Sequence, residues 1–159
     1  MKYQFWIIGL LILLVGCEPD KSCRQSIYVA CRVVLQGTEI DSLGEPVAFH
    51  EWDSVTVQGV GNDSVLYDNQ YSVNRLLLPL KTDTTITAYS ILWHDEYDTL
   101  YVRHTNTLNF ISMACGCAIY HTIDSTWTNS ARIDSLVVIN SAIEAVEQDN
   151  IRVYVTLED

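Results

Sequence analysis

Five cysteines carry most of the chemistry open to this chain. Cys23, Cys31, Cys115 and Cys117 form an even set, and Cys17 stands apart at the end of an apolar run. In an oxidising compartment an even set reads as a disulfide framework. The competing use is a four-thiolate zinc site. Its ligand pairs usually have roughly two to four residues between them, whereas seven lie between Cys23 and Cys31. A redox-active Cys115-Gly116-Cys117 is disfavoured, because nothing around it reads as a helix N-terminus that would lower a thiol pKa. Cys115 and Cys117 are poor partners for each other. Alternate strand residues face one way, and the closed ring would be strained. Each must reach back to the N-terminal pair, as Cys23–Cys115 with Cys31–Cys117 or as Cys23–Cys117 with Cys31–Cys115. Either way each bond closes a loop of nearly a hundred residues, worth about 4–5 kcal/mol in the chain-entropy model.

The other reactive side chains do not assemble into a recognisable catalytic set. The sequence has no Gly-x-Ser-x-Gly, the turn that exposes a nucleophilic serine. Gly59-Val60-Gly61 precedes a polar turn and not a helix, so it does not read as a phosphate loop. His50 with Glu51 and Asp53, or His94 with Asp95 and Glu96, are at most loose cation sites. No catalytic residue, metal or cofactor is assigned. Acids are plentiful, which is not in itself evidence of the paired carboxylates that glycoside hydrolysis needs. Convergence of His121, Asp124 and other acids in one pocket would favour hydrolysis, and scattered acids on a shallow surface would favour a binding module.

The N-terminus says where the chain goes. Lys2 precedes the apolar run Phe5 to Val15 and the small Gly16, the layout of a secretory signal, too short to span a bilayer. Leu14-Val15-Gly16-Cys17 resembles the bacterial lipobox, in which the cysteine is acylated and becomes the new N-terminus. Residues 1–16 then form the signal peptide, 17–25 the lipidated N-terminus and tether, and 26–159 a single domain, long enough to bury a core. The leader's only charge is Lys2, so the net charge of -11 becomes about -12 on its removal. Such acidity disfavours nucleic acid and anionic head groups. The membrane would be held through acyl chains, each buried methylene giving roughly 0.8 kcal/mol. The expected location is the cell envelope, as an outer-membrane lipoprotein on its periplasmic face or at the cell surface.

The rest of the chain reads almost wholly as strand. The candidate strands are 26–35, 54–60, 64–67, 75–80, 84–93, 99–104, 107–113, 118–122, 135–140 and 151–157, with turns such as Gly61-Asn62-Asp63 between them. Pro79 marks a strand end or an edge. Strands 84–93 and 99–104 read as a hairpin across His94–Asp98. Pairing Trp93 with Leu100 sets Tyr89 opposite His104 and leaves His94 apart from it. Only Ser141–Gln148 has helical spacing, for one or two turns. Trp52, Trp93 and Trp127 read as core or rim aromatics. Short strands separated by frequent turns imply an all-β fold, an antiparallel β-sandwich of Ig-like or related type.

Asp followed by Ser or Thr recurs at Asp41-Ser42, Asp53-Ser54, Asp63-Ser64, Asp83-Thr84, Asp98-Thr99, Asp124-Ser125 and Asp134-Ser135. An Asp that closes a turn before a strand accounts for the pattern. The triplets also resemble acceptors of the general O-glycosylation of exported Bacteroidetes proteins. Ser42, Ser64, Thr84 and Ser125, which lie nearest to loops, are the candidate acceptors.

From Thr107 onward, Phe110-Ile111-Ser112-Met113-Ala114-Cys115, Tyr120-His121-Thr122-Ile123, Ile133-Asp134-Ser135-Leu136-Val137-Val138 and Asn150-Ile151-Arg152-Val153-Tyr154 resemble an uncharacterised family of Bacteroidetes lipoproteins, catalogued as a domain of unknown function. Leu78-Pro79-Leu80, Asp98-Thr99-Leu100-Tyr101-Val102 and Cys23 fit it too. The resemblance implies one cysteine near Cys23 and one near Cys115. It favours Cys23–Cys115, which leaves Cys31–Cys117. It implies no activity. Two readings of function follow. One is a lipid-anchored, non-catalytic module that binds a protein or glycan partner or serves an assembly. The other is a small envelope hydrolase that acts on glycans with acidic residues.

Overall fold

The computed structural model describes residues 23, 27–40, 43, 46–48, 54–62, 64–93, 96–129 and 132–155. Its strands are β1 (Cys31–Ile40), β2 (Pro46–Ala48), β3 (Val55–Gly59), β4 (Val65–Gln70), β5 (Arg75–Leu78), β6 (Ile86–Trp93), β7 (Glu96–Ser112), β8 (Gly116–Thr128), β9 (Ile133–Val138), β10 (Ala142–Ile143) and β11 (Ile151–Val155). Two sheets pack face to face. One runs β2-β1-β11-β9, and β5 shares with β2 the free edge of β1. The other runs β10-β8-β7-β6-β3-β4. The fold is the expected all-β sandwich, with one parallel pair in it. The first strand and the last lie side by side, from Val33 beside Ile151 to Gly37 beside Val155.

Alternation decides which side chains meet between the sheets. Cys31, Val33 and Leu35 of β1, Leu76 and Leu78 of β5, and Ile151, Val153 and Val155 of β11 come from one sheet. Val55, Val57, Tyr89, Ile91, Trp93, Leu100 and Val102 come from the other. β5 stops at Leu78, just before Pro79, as a residue without an amide donor requires. The Pro79 carbonyl accepts a 2.5 Å hydrogen bond from the buried Tyr89 hydroxyl, which ties the two layers together. Burial raises the Tyr89 pKa well above the usual phenol range.

Three expectations are corrected. The β6–β7 hairpin is tight, with Trp93 opposite Glu96 and Tyr89 opposite Leu100, so Leu100 is not the partner of Trp93 and His104 is not that of Tyr89. The segments 99–104 and 107–113 are parts of one unbroken strand, β7. Ser141–Gln148 forms no helix. Ala142 and Ile143 pair with Thr122 and His121 of β8, and Ile143 is buried in the core. A hydrogen-bonded place on an open sheet edge outweighs the weak helical spacing of so short a segment.

Asn150 locks the entry to β11. Its Oδ1 accepts the Arg32 amide at 3.0 Å, and its Nδ2 donates to the carbonyls of Asn140 at 3.2 Å and Ala142 at 2.8 Å. The residue is 2% exposed. The substitution Asn150→Ala leaves these groups unpaired away from water, at a cost of about 2–4 kcal/mol. Urea unfolding should show that loss as a lower midpoint with an unchanged slope.

Candidate functional site

β7 and β8 form the longest ladder of the molecule, from Leu100 opposite Thr128 to Ser112 opposite Gly116. Their turn holds Met113, Ala114 and Cys115 and ends in Gly116, whose φ of 73° is a backbone conformation that favours glycine. A three-residue loop followed by a left-handed residue is a common hairpin closure. Further along the ladder, a bulge leaves Asp124 of β8 as the extra residue opposite the step from Arg103, paired with Ser125, to His104, paired with Ile123. The bulge allows His121, Ile123 and Thr126 all to face inward, while Asp124 turns outward to accept a 3.1 Å hydrogen bond from the Thr105 hydroxyl.

The register brings His104, Asn106 and His121 together inside the sandwich. Asn106 donates through Nδ2 to the carbonyls of Thr82 at 3.0 Å, Thr84 at 2.9 Å and Lys81 at 3.3 Å. Its Oδ1 is therefore the acceptor, and the Nδ1 atoms of both His104 and His121 donate to it at 2.7 Å. That assignment makes the His104 Nε2 an acceptor. The Thr87 hydroxyl, 2.9 Å away, donates to it and accepts the Lys81 amide at 2.9 Å. The rings stand edge to face, 5.2 Å apart. Burial holds the His104 pKa below the ordinary value, against opposing effects of the Asn106 hydrogen bond and of Asp124. Burial, with the His104 ring beside it, pushes His121 down to about 4. Both rings are neutral at physiological pH. The cluster fastens the 81–84 loop to the hairpin.

Chemically this is a closed polar lock. His121 faces the core and Asp124 faces out, so the pair does not converge in a pocket. Among the described residues no group of three or more His, Cys, Asp or Glu could hold a metal ion. His50 and His94 lie outside the described residues. A recess of about 130 Å³ lies beside Tyr28, Arg32, Leu77 and Val146, well under the roughly 300 Å³ of a small-molecule site. Its Arg32 is paired with Glu147 at 3.1 Å. Trp93 belongs to the core, whereas Trp127 is half-buried on the outer sheet face, stacked on Tyr101 at 5.1 Å with the Arg103 guanidinium 5.8 Å from its ring centroid. The Tyr101 ring covers one face of the indole and makes a cross-strand pair of it. Trp52 lies outside the described residues.

The cysteines divide. Cys23 is bonded to Cys115, with 4.7 Å between their Cα atoms. The second bond, Cys31 with Cys117, is not made. Cys31 faces the core from β1, and Cys117 is exposed on β8 beside the hairpin turn. One thiol is sealed between the sheets and the other is in solvent. Burial pushes the Cys31 thiol up to about 12, so it is inert. Cys17 and Ser42 lie outside the described residues. Ser64, Thr84 and Ser125 are exposed, although Ser125 is in a strand and not beside a loop.

The cluster of His104, Asn106 and His121 is not evident in the separate strands. His104 and Asn106 share a face by alternation. Placing His121 opposite Asn106 requires the closure at Met113-Ala114-Cys115, whose one textual sign is the glycine after it.

A family model described as "Family of unknown function (DUF6452)" matches residues 54–155, from just before β3 to the end of β11. No curated protein and no solved structure matches the chain.

Of the four cysteines among the described residues, alkylation of the folded, unreduced protein should mark Cys117 alone, with Cys31 following only on unfolding; a peptide map that joins Cys31 to Cys117 would refute this assignment. The histidines give a pH dependence. Their folded pKa values lie below the unfolded value of 6.5, so between pH 6.5 and about 4 the unfolded chain binds more protons. Stability is complete above that window and falls as the pH is lowered through it. For His121 the loss by pH 4.5 is on the order of 2 kcal/mol. Wild type should therefore lose about that much more than His121→Gln between pH 7 and pH 4.5 in urea titrations, and equal losses would rule the effect out.

Proposed function

The chain belongs to DUF6452, a family of unknown function, and on that footing we propose that it is a lipid-anchored cell-envelope protein serving as a non-catalytic binding or assembly module. The observation that carries this reading is one short stretch of chain. Leu14-Val15-Gly16-Cys17 closes an apolar run, and six residues later Cys23 is bonded to Cys115. A bonded pair across a sequence separation of 92 belongs to an oxidising compartment, which is where a lipobox would send the chain. The outer membrane is the proposed address, on its periplasmic face or at the cell surface.

The binding half of the proposal rests on how the polar side chains are used. The two buried histidines spend both Nδ1 donors on Asn106, and Asp124 spends a carboxylate oxygen on Thr105. These groups support the scaffold, which leaves strand faces and edges as the surface for a protein or glycan partner. A hydrolase built on His121 and Asp124 gains nothing from this arrangement. Exposed Ser64, Thr84 and Ser125, together with Ser42, are the proposed acceptors of O-linked glycan in the native host.

Mass analysis of the protein from membrane fractions should give a chain that begins at an acylated Cys17, while Cys17→Ala accumulates as the uncut precursor. A bare chain beginning elsewhere would overturn the anchor. Peptides from the same material should carry glycan at several of Ser42, Ser64, Thr84 and Ser125. Four bare peptides would remove that part of the reading.

A further inference from the structure

The β7–β8 hairpin outruns its neighbours. β6 accompanies β7 only as far as Arg103, with one more backbone bond from the His104 amide to the Thr85 carbonyl. β10 accompanies β8 only at His121 and Thr122, with one more backbone bond from the Ile123 amide to the Ser141 carbonyl. Among the described residues, the stretch from Thr107 and Tyr120 to the turn is a two-stranded ribbon. The face that carries His104 and Asn106 inside the body continues along it as Leu108 and Phe110. Leu108 is 68% exposed, Phe110 64%, and Met113 in the turn 93%. Isolated exposed apolar residues are ordinary. Three on one projecting tip need an explanation.

Two independent observations say what covers them. The first is charge. The chain has 20 acidic and 9 basic residues, yet Thr105 to Tyr120 contains no Asp, Glu, Lys, Arg or His. Glu96 and Asp98 stand at the far end of β7, a strand of 17 residues and therefore about 50 Å long. The acidic end is held away, and the strands that form the apolar end carry no charge of their own. The second is the covalent path. The Cys23–Cys115 bond fixes the incoming chain to the turn of this hairpin. From Cys17 to Cys23 is six residues, which reach at most about 20 Å. Acyl chains on Cys17 therefore cannot lie far from Met113.

We propose that the hairpin tip rests on the lipid surface that holds the acyl chains, with Leu108, Phe110 and Met113 entering the interface. The protein then stands on the membrane by two contacts, one covalent and one apolar, joined by the disulfide. This rests on the anchor proposed above. The ribbon orients the acidic body outward, where a partner would meet it. Apolar side chains at the head-group boundary add to the hold of the acyl chains.

The test uses the lipidated protein in vesicles of phosphatidylethanolamine and phosphatidylglycerol, with a nitroxide on the native Cys117. A control label sits at Tyr97→Cys in a Cys117→Ser background, at the opposite end of β7. Collision with oxygen should exceed collision with a water-soluble nickel chelate at Cys117, and the reverse should hold at position 97. Phe110→Asp with Met113→Asp should abolish the oxygen preference while the protein still floats with the vesicles. If the protein floats but the Cys117 label is as open to the chelate as the control, the tip contact is wrong and the anchor stands. If it does not float and Cys17 is bare, both fall. Dipolar broadening between Cys117 labels that disappears on mixing with unlabelled protein would assign the tip to a second copy and overturn the proposal.

Discussion

The backbone ladder between β7 and β8 is the interaction on which the rest depends. It is longer than the sheet opposite can cover, so one pair of strands lives in two environments. Where the other sheet lies over it, Leu100 and Val102 fill the core. Where cover ends, the same inward face changes to His104, Asn106 and His121, and beyond them to exposed Leu108 and Phe110. Core, polar lock and apolar tip succeed one another along a single register.

That succession explains why polar groups sit where they do. At the end of a sandwich the backbone of incoming loops must still find partners. Asn106 supplies them for the 81–84 loop, and Asn150 does the same where β1, β10 and β11 meet. Each amide has donors and an acceptor on one planar group. Each can therefore satisfy carbonyls on one side and N–H groups on the other. The histidines complete the first of these hubs as neutral donors, and their depressed basicity follows from that burial.

The disulfide and the parallel pairing of β1 with β11 bind the chain's beginning to its later parts in different ways. The pairing seats β1 between β11 and the edge shared by β2 and β5. The bond fixes a point eight residues before β1 to the turn of the long hairpin, at the opposite extremity of β7 from Glu96.

Alternation by itself pointed to most of the strands and to the sandwich class, because a period of two is written directly in residues such as Thr87, Tyr89, Ile91 and Trp93; it did not reveal β2. The same period leaves register open. Setting Trp93 against Leu100 or against Glu96 differs by four places, an even number, and keeps every side chain on its proper face. Sequence could not choose between them; the tight closure of the β6–β7 hairpin did. For the same reason His104 and His121 were visible as residues and invisible as a pair. The short apolar segment at Ala142 and Ile143 became a strand because β8 offered it an edge. An even count of thiols suggested two bonds, and the family likeness pointed to Cys23 with Cys115. Tertiary structure decided the second question by placing Cys31 in the core and Cys117 in water. Local pattern is set by what each residue buries, whereas register, pairing and the polar lock depend on contacts between segments far apart in the chain.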